Sequence, residues 1–490
     1  MRIALYATLA ALLFSGCSRK TWLYKNPAKG NVYGIALQAG IKNLPPSQEP
    51  VVVAVLDIGT DINHTALQPY IWTNKAEVPG NGIDDDKNGY IDDIHGWNFI
   101  GGKGGEINHE STEETRQYQK LKRKYAGADT AGKDSVYKSG YKKYLSAAKI
   151  YERQQGYRDA YISSAEASYS SYNNHIIVRL ISLLSGEKDV RKTLAAEMIT
   201  SREQSRVNKI DADSVRRTIV GDNPDDTTQK YYGNNNVIGP DAMHGTHVAG
   251  IIASIAARTK DEGKWLRIMV LRIVPNGDER DKDIANAIRY ATDNGAKIIN
   301  MSFGKNISPN KTTVDEAVLY AAAKDVLLVH GAGNDARLLD SLYRGNFPNP
   351  YIASKKTYVQ QWIEVGASGK RKNNLAASFT NYGYVSVDLM APGVKIYAPV
   401  PGNKYAFQSG TSMASPVVSG VAALIRSHYP HLKAEQVKEI LTQSVTVYDD
   451  YTTMPGDNRM LILYKRLSKS SGIVNVAKAT KLATEYSHKR

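Results

Sequence analysis

Residues 51–56 form an unbroken apolar run, VVVAVL, that stops at Asp57. A strand covered on both faces loses the polar alternation of a half-exposed one, so this run predicts a buried parallel strand. Similar runs return at 268–271, 298–301, 326–330, 363–365 and 385–389. Among them lie segments whose apolar positions recur every three or four residues. These predict helices from His244 to about 257, over 281–294 with Gly295 ending it, over 314–323, over 412–427 and over 433–443. Strands alternating with helices of this length predict an α/β fold: three layers, with a mostly parallel central sheet flanked by helices.

One segment breaks the rhythm. Residues 103–230 are polar and rich in lysine, and ten of the chain's 31 tyrosines fall between Tyr118 and Tyr172. Tyr137, Tyr141, Tyr144 and Tyr151 are spaced to share one helical face, and 179–185 is apolar enough to dock onto something. The reading is a helical insertion; a disordered charged loop is the competing one, against which the apolar spacing argues. Residues 17–50, with Pro45, Pro46 and Pro50, read as a linker with light strand packing.

Composition changes this picture little. At 490 residues and 42% hydrophobic, the chain can bury a sizeable core. The formal net charge of +15 raises a nucleic-acid partner. The basic residues are spread out, with no zinc-finger spacing and no basic-plus-aromatic motif, so no specific nucleic-acid partner is expected. At the N-terminus Arg2 precedes an apolar run, 3–14, and then Ser15-Gly16-Cys17. That is an export signal over 1–16, too short to span a bilayer well. Cys17 is the only cysteine, which excludes an intrachain disulfide and a cysteine-based zinc site. The stretch LLFSGC resembles the lipobox of bacterial lipoproteins. The resemblance implies cleavage before Cys17, lipidation of that cysteine and tethering in the cell envelope, at the outer membrane. A plain cleaved signal is the alternative.

Three motifs carry chemistry: VAVLDIG (53–59), HGTHVAG (244–250) and GTSMASP (410–416). A serine hydroxyl is a poor nucleophile until a base takes its proton, and the base needs a carboxylate to fix its tautomer. Asp, His and Ser, in that order and each at a strand end or helix start, resemble the subtilisin-like serine proteases, the subtilase family. The resemblance implies a subtilisin-like fold over 51–102 and 231–482, closed by a segment like SGIVNVAKA (471–479). It implies a serine endopeptidase that cleaves protein or peptide substrates through an acyl-enzyme, with no cofactor for catalysis. Asp57, His244 and Ser412 would form the triad. HGAGND (330–335) resembles the family's oxyanion segment, giving Asn334 a side-chain donor role beside the Ser412 N–H. NMSFG (300–304) resembles the substrate-binding segment, so Ser302, Phe303 and Gly304 would pair with substrate backbone. Gly331, Ala332 and Gly333 would wall the first pocket. His64 and His247 look structural. Departures are Ile58, Met243 and Thr65, and the 187 positions between Asp57 and His244. A catalytically silent binding or scaffold protein on the same fold is the alternative.

A second cluster lies in NGIDDDKNGYIDD (81–93), where Asp84, Asp86, Asn88, Gly89 and Asp92 follow a calcium-loop pattern. Tyr90 would add its carbonyl, and His95 stands where a full loop of this type has Glu. A structural Ca2+ is one reading; an acidic turn held by asparagine and glycine is the other.

Overall fold

The structure is a computed structural model that describes residues 22–27, 32–171, 190–341 and 345–488. The signal segment, Cys17 and 179–185 lie outside the described residues. The chain forms two compact units. One draws on residues 1–106, 225–274 and 279–490; the other on 107–224 and 275–278.

In the first unit the strands are β1 (Val51–Asp57), β2 (Gly96–Asn98), β3 (Leu266–Arg272), β4 (Ala296–Met301), β5 (Leu327–Gly331), β6 (Trp362–Ser368), β7 (Leu389–Pro392), β8 (Thr446–Val447) and β9 (Gly472–Ile473). They make one sheet in the order β8-β9-β7-β6-β5-β4-β1-β3-β2. Every neighbouring pair is parallel except β8 with β9. The helices are α1 (Leu37–Ile41), α2 (Met243–Ala256), α3 (Asp281–Asp293), α4 (Lys311–Ala323), α5 (Thr411–His428), α6 (Ala434–Gln443) and α7 (Val476–His488). They flank the sheet, which gives the three-layer α/β architecture.

The apolar runs explain this. Val51, Val53 and Val55 of β1 enter the same core as Val248, Ile251 and Ile255 of α2 and Val417, Val421 and Leu424 of α5. Ala54 and Leu56, with alternate direction, are equally buried. A strand with both faces covered needs apolar residues at every position. The chain reaches β3 on one side of β1 and β4 on the other, so β1 borders a topological switch point, where open parallel sheets place their sites.

Two expectations shift. The strand expected at 385–389 begins only at Leu389. Val385 is exposed, and the Asp340 carboxylate accepts the N–H groups of Val385 and Ser386. Turn hydrogen bonding overrides the apolar alternation there. The described residues between 22 and 50 pack on the fold: Trp22, Leu23, Ile35 and Leu37 are buried in the main core, and the Val476 N–H of α7 donates to the Ile35 carbonyl at 2.8 Å.

The second unit is helical, with Glu113–Tyr125, Ser135–Ser171, Val190–Val207 and Ala212–Ile219. Its first two helices meet through tyrosines. Tyr118 stacks on Tyr151 with centroids 4.3 Å apart, and Tyr125 meets Tyr137 edge-on at 5.1 Å. Asp211 caps the last helix by accepting the Asp213 and Ser214 N–H groups. Arg216 and Asp222 pair at 2.7 Å in full burial. Among the described residues, no helix is long and apolar enough to cross a membrane.

Candidate active site

Asp57 is the last residue of β1, and His244 lies in the first turn of α2. The fold brings them together: His244 Nδ1 is 2.8 Å from one Asp57 carboxylate oxygen and 3.0 Å from the other. The carboxylate is buried and also accepts the Ile58 N–H at 2.8 Å. Burial by itself lowers the imidazole's affinity for a proton. The Asp57 charge and hydrogen bond, with a smaller contribution from Asp241, outweigh it and hold the pKa above the ordinary value. Nδ1 carries the proton toward the carboxylate, which leaves Nε2 as the basic nitrogen.

Ser412 lies in the first turn of α5. Its hydroxyl donates to the Ser302 carbonyl oxygen at 3.0 Å, so its bond to the imidazole is not made in this conformation. Catalytic hydrogen bonds commonly tighten only when substrate binds. The Ser412 N–H is one of the first four of its helix and has no carbonyl partner within it. Asn334 follows β5 in an exposed turn. Its amide oxygen accepts the Thr411 N–H at 2.9 Å and the Thr411 hydroxyl at 3.2 Å. That fixes the amide so that Nδ2 faces away from Thr411. Nδ2 and the Ser412 nitrogen each lie 3.6 Å from the point where a side chain on Gly410 would begin. Two donor nitrogens thus lie near one point beside the serine, at the positive end of a helix.

Ser302, Phe303 and Gly304 continue from β4; Gly331 ends β5, and Ala332 and Gly333 continue from it. The Ser302 hydroxyl bonds to Ser415 at 2.9 Å and accepts from Asn300 at 2.9 Å, which anchors this segment to α5. Gly333 has φ +98°, and a Cβ there would meet the Asn381 amide at 2.5 Å, so only glycine suits the turn.

The subtilase family profile matches residues 48–461. The chain belongs to the subtilase family. Its relatives include subtilisin DY of Bacillus licheniformis, 37% identical over 42% of this chain and 72% of the relative. A thermophilic serine proteinase of Bacillus sp. (strain AK1) is 42% identical over 38% of this chain and 42% of its own length. Alkaline elastase YaB of Bacillus sp. (strain YaB) is 33% identical over 49% of this chain and 55% of its own length. The subtilase thus spans about half the length of the last two relatives.

His247 and His64 lie beside backbone carbonyls. His247 Nε2 lies 3.1 Å from the Ile396 carbonyl oxygen, and burial pushes its pKa down to about 4. His64 Nδ1 accepts the Ala66 N–H, and Nε2 lies 3.1 Å from the Lys404 carbonyl oxygen.

In the acidic loop, Asp84 and Asp86 come together with a residue outside the motif. Carboxylate oxygens of Glu77, Asp84 and Asp86 all lie within 4.8 Å of one another. Asp92 does not join them; its carboxylate accepts the Gly80 and Gly82 N–H groups. The Asn88 amide nitrogen donates to Asp86 and Asp93, and its oxygen accepts the Tyr90 N–H. The Tyr90 ring is buried against Trp97 and Tyr290. Sequence reading missed Glu77, whose only signal is an unpaired acidic residue a few positions before the loop.

Proposed function

We propose that this subtilase is a serine endopeptidase acting on protein and peptide substrates, with Asp57, His244 and Ser412 as its triad and Asn334 as an oxyanion donor. What supports the reading is the His244–Asp57 hydrogen bond together with the Asn334 Nδ2 and Ser412 nitrogens, each 3.6 Å from one point beside Gly410, and the Ser412 hydroxyl bonded to the Ser302 carbonyl, just past the end of β4, the strand paired with β1. Ser412 turns from the Ser302 carbonyl to His244 Nε2, which takes its proton as the oxygen attacks the scissile carbonyl. Asp57 offsets the imidazolium charge. The new oxyanion accepts hydrogen bonds from Asn334 Nδ2 and Ser412 N–H. Collapse to the acyl-enzyme hands the proton from His244 to the leaving amine, and water repeats the sequence to release the acid. Extended substrate pairs with Ser302–Gly304, and Gly331–Gly333 wall its first pocket.

Three further readings belong here. Glu77, Asp84 and Asp86 suit a hard divalent cation, since all three offer carboxylate oxygen; a Ca2+ would neutralise their repulsion and tie the loop together. Cys17 is a lipidation site that tethers an exported enzyme to the cell envelope, read from the LLFSGC stretch alone. Residues 103–230 are an insertion within the peptidase domain.

The test is labelling with a fluorophosphonate probe alongside casein hydrolysis. The wild-type protein should label and cleave, and Ser412→Ala should do neither. A correctly folded wild-type protein that does neither would return the catalytically silent scaffold.

A further inference from the structure

An ionisable pair of opposite sign lies inside the sheet, outside the triad. His330 of β5 and Glu364 of β6 stand directly opposite one another in the parallel register. Their neighbours Val329 and Val365 point into the core under α5, so His330 and Glu364 point to the other face. His330 is fully buried and Glu364 is 4% exposed. His330 Nδ1 is 3.0 Å from each Glu364 oxygen, and Nε2 is 2.7 Å from the Phe303 carbonyl oxygen.

The hydrogen-bond partners suit a charged pair. A backbone carbonyl can only accept, so Nε2 carries a proton. Glu364 accepts the Trp362 indole N–H at 2.9 Å and an Asn346 amide hydrogen at 3.0 Å. With Glu364 ionised, Nδ1 is a donor as well, and both ring nitrogens are protonated only in the imidazolium. Burial opposes that charge, but Glu364 outweighs it, aided by the Phe303 carbonyl and Glu279, and the pKa is raised. The remaining charges nearby are already engaged. Lys305 pairs with Asp281 at 2.8 Å and donates to the Glu279 carbonyl. Asp388 accepts the Glu364 N–H and pairs with Lys438.

We infer that the His330–Glu364 pair is a positioning device for the substrate-binding strand: it grips the Phe303 carbonyl and so sets the edge on which an extended peptide must pair. Glu364 is tied to the opposite wall as well. The Asn346 amide that donates to it also donates to the Ala332 carbonyl at 2.9 Å. One buried pair thus joins both sides of the first pocket. Losing its shared proton forces a lone pair of the neutral ring against either the carboxylate or the Phe303 carbonyl, and one grip fails. The inference rests on the reading of Ser302–Gly304 as the substrate strand.

The test separates binding from chemistry. Active sites are counted with the fluorophosphonate, and KM and kcat are measured from neutral to alkaline pH on an extended peptide nitroanilide. For the wild type, KM should rise about tenfold on the alkaline side, the loss of one charge-assisted hydrogen bond, with kcat changing less than about threefold. His330→Leu should show the raised KM at every pH and label at close to the wild-type rate. Glu364→Gln, which sets an amide nitrogen against the Trp362 or the Asn346 donor, should raise KM at neutral pH as well and lose the alkaline rise. Should His330→Leu not fold, nitrogen-15 histidine spectra of the Ser412→Ala protein decide, with two ring N–H protons expected on His330 at neutral pH. An active wild type with a pH-independent KM, or a His330 carrying one ring proton, overturns the inference and leaves the protease reading intact. A wild type that neither labels nor cleaves fails the protease reading first.

Discussion

The acidic loop gives a prediction whose size can be worked out. Three carboxylate oxygens lie within 4.8 Å of one another. At that spacing each pair of charges repels by about 0.9 kcal/mol in bulk water and about 3.5 kcal/mol at an effective dielectric of 20. Glu77 is buried and the two aspartates are half-buried, so the true value lies between. Glu77→Gln removes two of the three repulsions, a relief of roughly 2–7 kcal/mol without metal. Glu77 accepts the Asp86 and Asp92 N–H groups, and weakening those bonds takes back about 1 kcal/mol. The metal-free variant should therefore melt above the metal-free wild type. A cation works against that order. At a hundredfold excess over Kd it stabilises the wild type by about 2.7 kcal/mol, and the variant, lacking one ligand charge, gains little. The assay is thermal unfolding in the Ser412→Ala background, which prevents self-digestion, with EGTA and then with millimolar Ca2+. The expected result is a Tm rise with Ca2+ in the wild type that is largely absent from Glu77→Gln. A wild-type Tm that is the same in EGTA and Ca2+ would sink the cation reading, as would a full calcium shift in Glu77→Gln.

Two further outcomes follow from the site. His244 must be neutral to accept the Ser412 proton, so kcat/KM falls as pH drops through its pKa. With that pKa raised, the acid limb should lie above the ordinary imidazole range, and Asp57→Asn, which leaves only the smaller Asp241 contribution against burial, should move it down, as a pH–rate profile would register. Asn334→Ala should lower kcat about 10²–10³-fold, a magnitude carried over from the equivalent donor in subtilisin. Thr411→Val keeps the shape but removes the hydroxyl that bonds Asn334 and accepts the Gly333 N–H, so kcat should fall only about tenfold, as one hydrogen bond predicts. Equal losses in the two variants would argue against an orienting role for Thr411.

The sheet was legible because burial on both faces leaves a mark no other element makes. Strand β1 needs apolar side chains at 51–56, and the run ends where Asp57 turns to the crevice. The motifs were legible for a related reason: they mark places where backbones approach closely. A Cβ on Gly245 would meet the Gly59 carbonyl oxygen at 2.1 Å, so HGTHVAG and VAVLDIG constrain one another's sequence. Where local chemistry competes with pattern, reading fails. The alternating Val385, Val387 and Leu389 look like a strand, yet the Asp340 carboxylate, 45 residues away, takes the Val385 N–H into a turn. Residues 17–50 look like a linker because their few apolar side chains have no period, although Leu23 and Ile35 are deeply buried.

Partners set by tertiary register are hidden in another way. Glu77 lies outside the loop pattern and meets Asp84 and Asp86 only through the folding of the turn between them. His330 and Glu364 each interrupt an apolar run, LLVHG and WIEVGAS, and taken singly each is a polar residue where a buried strand has no room for one. An uncompensated charge at such a position would be too costly to keep, so each interruption demands a partner of opposite sign. Two interruptions of opposite sign, in strands consecutive along the sheet, therefore predict each other. What the one-dimensional pattern lacks is the register that sets them side by side. It also lacks the Phe303 carbonyl at the end of β4, whose acceptance of the second ring proton turns a structural ion pair into a grip on the substrate strand.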